Sequence, residues 1–123
     1  MRIFLCHSVI KKEINPLINH FSKGDIKKYV EKARKGLGIE IKGSFITGTK
    51  LVKVYMTGKS GAGRMIILIY IKKDYYLPII VRLKKDKIVG TNLSKGNQAF
   101  QDLLKKNLNL VVQDLKERNF DEL

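Results

Sequence analysis

The residues with most chemical promise are cations and phenols standing between apolar runs in residues 50–87. Lys53 and Tyr55 lie two apart in LVKVYM, Arg64 closes the glycine-rich TGKSGAGR, and Arg82 and Lys84 lie two apart at the end of LPIIVRLKK. In an extended strand, residues two apart share a face. The spacing therefore predicts that Lys53, Tyr55, Arg64, Arg82 and Lys84, with Lys85 beside them, gather on one sheet. Such a cluster is suited to cutting RNA without a metal. The RNA 2′-hydroxyl is the nucleophile, so the protein has to take its proton, hold the charge that builds on phosphorus and protonate the leaving 5′-oxygen. Crowded cations lower one another's pKa, which brings a lysine towards use as a base near neutrality. An arginine grips phosphate through its fork of donors. The plainer alternative is a set of solvated charges at strand ends that binds nothing.

Other chemistries have less to work with. The sequence contains no HxxxH, DxD or CxxC, and its carboxylates are scattered, so no metal site or cofactor is expected. His7 and His20 are the only histidines for a nucleophile–base pair, and each reads more simply as a structural or surface residue. GKSGAGR lacks the GxxxxGK[ST] spacing of a nucleotide-binding loop and leads into an apolar strand pattern instead of a helix. The single Cys6 excludes an internal disulfide and fits a reducing cytoplasm.

The net charge of +14 is unevenly placed. Residues 1–94 hold twenty lysines and arginines against six acids, whereas residues 95–123 hold five of each. A basic body implies a polyanionic partner, most simply RNA or DNA, or else an acidic protein. Lysine outnumbers arginine 20 to 5, however, which an A/T-rich coding sequence also produces. The longest apolar run, residues 65–71, is too short to cross a membrane, and the N-terminus shows no small-residue cleavage site.

The elements that must position the cluster read as one α+β domain over residues 1–123. Residues 2–5 are an apolar start suited to an edge strand. Ser8 caps a helix through Val9, Ile10, Ile14, Leu17, Ile18 and Phe21, which Pro16 must kink or restart. Asp25 caps a second helix with Ile26, Tyr29, Val30 and Ala33 on its inner face, ended by Gly36 and Gly38. Residues 39–50 are a connector with room for a short strand. Residues 51–56 and 65–71 form strands around a turn tipped by Lys59, the second strand apolar on both faces. Lys72, Lys73 and Asp74 make a tight turn into a strand over 75–83, where Pro78 requires an edge or a bulge. After a loop at 88–93, Ser94 caps a helix to about Arg118, with a stripe of Phe100, Leu103, Leu104, Leu108, Val111, Val112 and Leu115. The last five residues read as a frayed end. The expected fold is two N-terminal helices packed on a small antiparallel sheet, with a C-terminal helix.

Gly48-Thr49, Leu51-Val52-Lys53, Gly58-Lys59, Gly63-Arg64, residues 77–84 and Asn92-Leu93-Ser94 follow the order of motifs in toxins of the RelE/ParE superfamily. The chain most resembles the HigB/RelE-like branch, over about residues 45–115. This resemblance implies a RelE-like domain, the toxin of a type II toxin–antitoxin module. It implies ribosome-dependent mRNA cleavage by Lys, Arg and Tyr side chains without a metal. By position, Lys53 matches the basic residue of the first core strand, Arg64 the phosphate holder of the turn, and Lys84 the lysine that ends the third strand. Tyr55 stands where a second basic residue is common, and Arg82 where an aromatic is common. Lys59, Lys72, Lys73, Lys85 and Lys87 extend the implied RNA-binding surface. The implied partners are a cognate antitoxin, the ribosome and mRNA, with operator DNA bound by the toxin–antitoxin complex. A gyrase-binding toxin of the ParE type and a non-catalytic RNA- or ribosome-binding module are the alternatives.

Overall fold

The computed structural model describes residues 1–58, 61–86 and 97–123. Residues placed far apart in the chain meet in one six-stranded mixed sheet, ordered β2-β3-β4-β5-β1-β6. The strands are β1 (Arg2–Cys6), β2 (Ile39–Ile41), β3 (Thr49–Gly58), β4 (Gly61–Tyr70), β5 (Tyr75–Leu83) and β6 (Phe120–Glu122). The helices are α1 (His7–Val9), α2 (Lys23–Arg34) and α3 (Gln98–Glu117). The fold is α+β, as expected, but the sheet is larger than expected and not purely antiparallel, because β1 runs parallel to β5.

β1 is not the edge strand the sequence reading expected. Ile3, Phe4, Leu5 and Cys6 are all buried, and β1 lies between β5 and β6. Four consecutive apolar residues need cover on both faces, which an edge does not offer. The tail does not fray: Phe120–Glu122 pairs antiparallel with β1 as β6. The strand at β4 is apolar on both faces as expected, with Met65, Ile66, Ile67, Leu68 and Ile69 all buried. Pro78 takes the bulge expected of it. β5 is internal, and the register slips between Ile66 and Ile67, opposite Pro78, which accommodates a residue with no N–H to donate.

The first helical stretch changes pitch instead of running on. α1 passes into a π turn over Ile10–Ile14 and then a 3-10 turn over Asn15–Leu17, with Pro16 in the first turn of the last piece. α1 begins at His7, its N-cap is Cys6 with no side-chain cap, and Ser8 lies inside it. Ser22, and not Asp25, caps α2. Its hydroxyl accepts the Asp25 N–H at 3.1 Å while the Asp25 carboxylate accepts the Ser22 N–H at 2.9 Å, a reciprocal capping box. Ile26, Tyr29, Val30 and Ala33 are buried, as the period predicts. α3 is capped by Asn97, whose side chain accepts the Phe100 N–H at 3.0 Å. The expected cap Ser94 and the expected loop at 88–93 lie outside the described residues.

The helices take opposite faces of the sheet. A Cβ placed on Gly58 or Gly63 would strike the Phe21 ring, and one on Gly38 would strike Val52. The chain on either side of α2 therefore lies on the face of Val52, Val54 and Met56. A Cβ on Gly43 would come within 2.9 Å of Leu104 of α3 and 3.9 Å of Leu51, which puts α3 on the face that Leu51 shares with Lys53 and Tyr55. Asn107 of α3 is buried and donates its amide to the Ile79 carbonyl at 2.8 Å.

Candidate functional site on the sheet

The alternation of β3 sends Lys53 and Tyr55 to one face, and register brings in their neighbours. Tyr55 is the Cα partner of Arg64, and Arg64 is the partner of Arg82. These three make a row across three strands on the α3 face. Lys53 stands in the next row, opposite Ile66. Lys84 extends the face at the other end, its N–H bonded to the Ala62 carbonyl at 2.8 Å.

Within this row the contacts are close. The Arg64 guanidinium carbon lies 4.2 Å from the centre of the Tyr55 ring, and the Lys53 ammonium lies 5.0 Å from it. Arg64 is further fixed by a 3.0 Å bond from Nη1 to the Gly63 carbonyl. Tyr55 is 50% exposed, so its phenol is open to a ligand. Hydrogen bonding to Lys53, the largest influence, holds the phenol below its ordinary pKa; burial opposes it, and the charges of Lys53 and Arg64 add to the lowering.

Arg82 belongs to the row but is engaged elsewhere. Its Nε and Nη2 donate to the two oxygens of Glu13 at 2.9 and 2.8 Å, and Nη1 donates to Asp86 at 3.2 Å. Two carboxylates thus occupy its fork, and they raise its pKa against the effect of burial. Lys84 and Lys85 are exposed. Lys72 and Lys73 are exposed too, but they sit in the β4–β5 turn at the opposite end of the strands. Arg64 and Tyr70 are six residues apart along β4, roughly 20 Å at the rise of a strand. The structure therefore brings together Lys53, Tyr55, Arg64 and Arg82, places Lys84 along the same face, and leaves Lys72 and Lys73 remote. Lys59 and Lys87 lie outside the described residues.

The sequence reading does not name Glu13, and it places Tyr29 only on the inner face of α2. Glu13 accepts the Val81 N–H at 3.0 Å as well as holding Arg82. Tyr29 donates its hydroxyl to the Thr57 carbonyl at 2.9 Å and accepts the Thr57 N–H at 3.0 Å. β1 pairs with β5 only at Tyr75 and Tyr76, and β2 pairs with β3 only as far as Lys53. Glu13 and Tyr29 take up backbone groups on stretches of β5 and β3 that those pairings do not reach. A signal for Glu13 was present: it falls on the inward spacing of Ile10, Ile14 and Leu17, where an acid is out of place unless paired. Among the described residues no group of three or more His, Cys, Asp or Glu is gathered to hold a metal. No described helix is long and apolar enough to cross a membrane. No protein-family model, no curated protein and no solved structure matches this chain.

Proposed function

We propose that this chain is the toxin of a bacterial toxin–antitoxin module, a RelE-like protein of the cytoplasm that arrests translation by cleaving mRNA on the ribosome. The observation that carries the reading is the half-exposed Tyr55 phenol held between Lys53 and Arg64. In this proposal Arg64 binds the scissile phosphate. Tyr55, its phenolate favoured by both cations, takes the 2′-hydroxyl proton. The 2′-oxygen then bonds to phosphorus as the bond to the 5′-oxygen breaks, and Lys84 protonates that oxygen. Lys53 and Arg64 stabilise the charge developing on phosphorus. The products are a 2′,3′-cyclic phosphate and a 5′-hydroxyl. Arg82, held by Glu13, orients the row without meeting the phosphate. The net charge of +14 and the arrangement of helices before and after the three long strands also support the reading. An acidic antitoxin that covers the Tyr55 row, and operator DNA bound by the complex, belong to the same proposal.

A second reading is favoured by the engagement of Arg82. With one cation of the row neutralised by two carboxylates, a module that binds RNA or the ribosome without cutting has all it needs. Cell-free bacterial translation with the purified chain separates the two. Mapping of mRNA 5′ ends is expected to show cuts in register with codons, only on translated message, and none with Arg64→Ala. Translational arrest with intact message would overturn cleavage and leave binding. Arrest of DNA supercoiling in place of translation would point to the gyrase alternative.

A further inference from the structure

At the other end of the strands, a cavity of about 360 Å³ opens between the C-terminal end of α3 and strands β1, β5 and β6. That size suits a small ligand or one unit of a polymer. Four of its walls are aromatic: Phe4, Tyr70, Tyr75 and Phe120. Phe4 meets Tyr75 and Phe120 edge-on at 5.0 and 5.1 Å, so the walls brace one another before any ligand arrives. The remaining chemistry is cationic. Arg2 is balanced by Glu122 at 2.7 Å and lies over the Phe4 and Tyr75 rings at 5.0 and 5.6 Å; Lys73, 5.9 Å over the Tyr75 ring, and Arg118 also line the cavity and form no ion pair among the described residues. Arg118 also stands in the left-handed conformation, with φ +57°, where glycine or asparagine is the usual helix terminator.

We propose that this cavity binds one nucleotide unit, its base against Tyr70 and Phe120 and its phosphate on Lys73 and Arg118. Tyr70 and Phe120, the lining rings with no cation placed over them among the described residues, suit a ligand with a π-face, and two cations without an acid partner suit an anion attached to it. A nucleotide has both, whereas an acidic peptide side chain has only the charge. The proposal is independent of the Tyr55 row, about 20 Å away along the strands.

The test is calorimetric titration of the full chain with adenosine 5′-monophosphate and with a single-stranded adenosine hexanucleotide at physiological salt. Arg118→Gly is the informative variant, because glycine suits that backbone and the protein should melt no lower than the wild type. Both ligands are expected to bind, and Arg118→Gly and Lys73→Ala are each expected to weaken binding at least about tenfold. A hexanucleotide that binds much tighter, and is displaced by the mononucleotide, marks an RNA strand as the source; equal affinities mark a free nucleotide. Either supports the site. Failure of both ligands to bind at millimolar concentration, equal affinity in the folded Arg118→Gly and Lys73→Ala variants, or binding of an acidic peptide alone would overturn it.

Discussion

Arg82 and Glu13 form a two-point bridge in which Nε and Nη2 of the guanidinium meet both carboxylate oxygens at 2.9 and 2.8 Å. The Glu13 side chain is 1% exposed and that of Arg82 is 25% exposed. The two ends are therefore unequal. If Arg82 is removed, a buried charge is left behind; if Glu13 is removed, Arg82 retains Asp86 and access to water. Replacing Arg82 by leucine should cost about 3–5 kcal/mol. Glu13→Leu should cost less, chiefly through the orphaned Val81 N–H, about 1–3 kcal/mol. Urea denaturation of both variants measures this, and an Arg82→Leu protein as stable as the wild type would refute it.

Tyr55 should ionise below a normal tyrosine. Its folded pKa is depressed by Lys53 first and by Arg64 after it. The sign follows: folding favours the phenolate, so any stabilisation is present above the unfolded phenol value near about 10 and vanishes as pH falls through the folded value. At neutral pH the effect on stability is nil, and the consequence is reactivity. An ultraviolet difference titration of wild type against Tyr55→Phe isolates this phenol. Lys53→Met should move its midpoint upward, and an unmoved midpoint would remove Lys53 as the cause.

Gly63 leaves room for the Phe21 ring against the sheet. A Cβ there would come within 2.7 and 2.8 Å of ring carbons, closer than atoms pack. Gly63→Ala should destabilise by about 1–3 kcal/mol. Phe21→Leu in the same chain should recover part of that loss, because the smaller side chain vacates the space. If the two losses instead add, the clash is not with Phe21.

Periodicity carried much of this architecture. The inner face of α2, the doubly buried β4, the strand at Tyr75–Leu83 and the shared face of Lys53 and Tyr55 all follow from local spacing. What local spacing does not express is partnership across the chain. Nothing near Arg2–Cys6 shows that the tail returns to pair with it, so local spacing places β1 at an edge. Local spacing groups Arg82 with the free cations, because its acid lies 69 residues away. Ser22 and Asp25 are legible locally, since S-x-x-D ahead of an apolar period is a capping-box spacing in which Ser22 is the cap and Asp25 its reciprocal partner.

The C-terminal strand should be a structural member whose loss is felt at Cys6. β6 pairs Phe120 with Cys6 and Asp121 with Leu5, Leu123 donates to the Ile3 carbonyl at 2.9 Å, and Phe120 packs edge-on against Phe4. Deleting residues 120–123 removes these contacts and the Arg2–Glu122 bridge. The expected cost is about 2–4 kcal/mol, mostly from partial loss of aromatic burial and the edge-on pair. The Cys6 thiol is buried, and that burial, with the Asp114 carboxylate behind it, pushes its pKa up to about 12. It should therefore resist alkylation at neutral pH in the full chain. In the truncated chain β1 loses its outer neighbour, and iodoacetamide should modify Cys6 faster under native conditions. Equal alkylation rates and equal melting temperatures for the two chains would mean that β6 contributes nothing to the sheet.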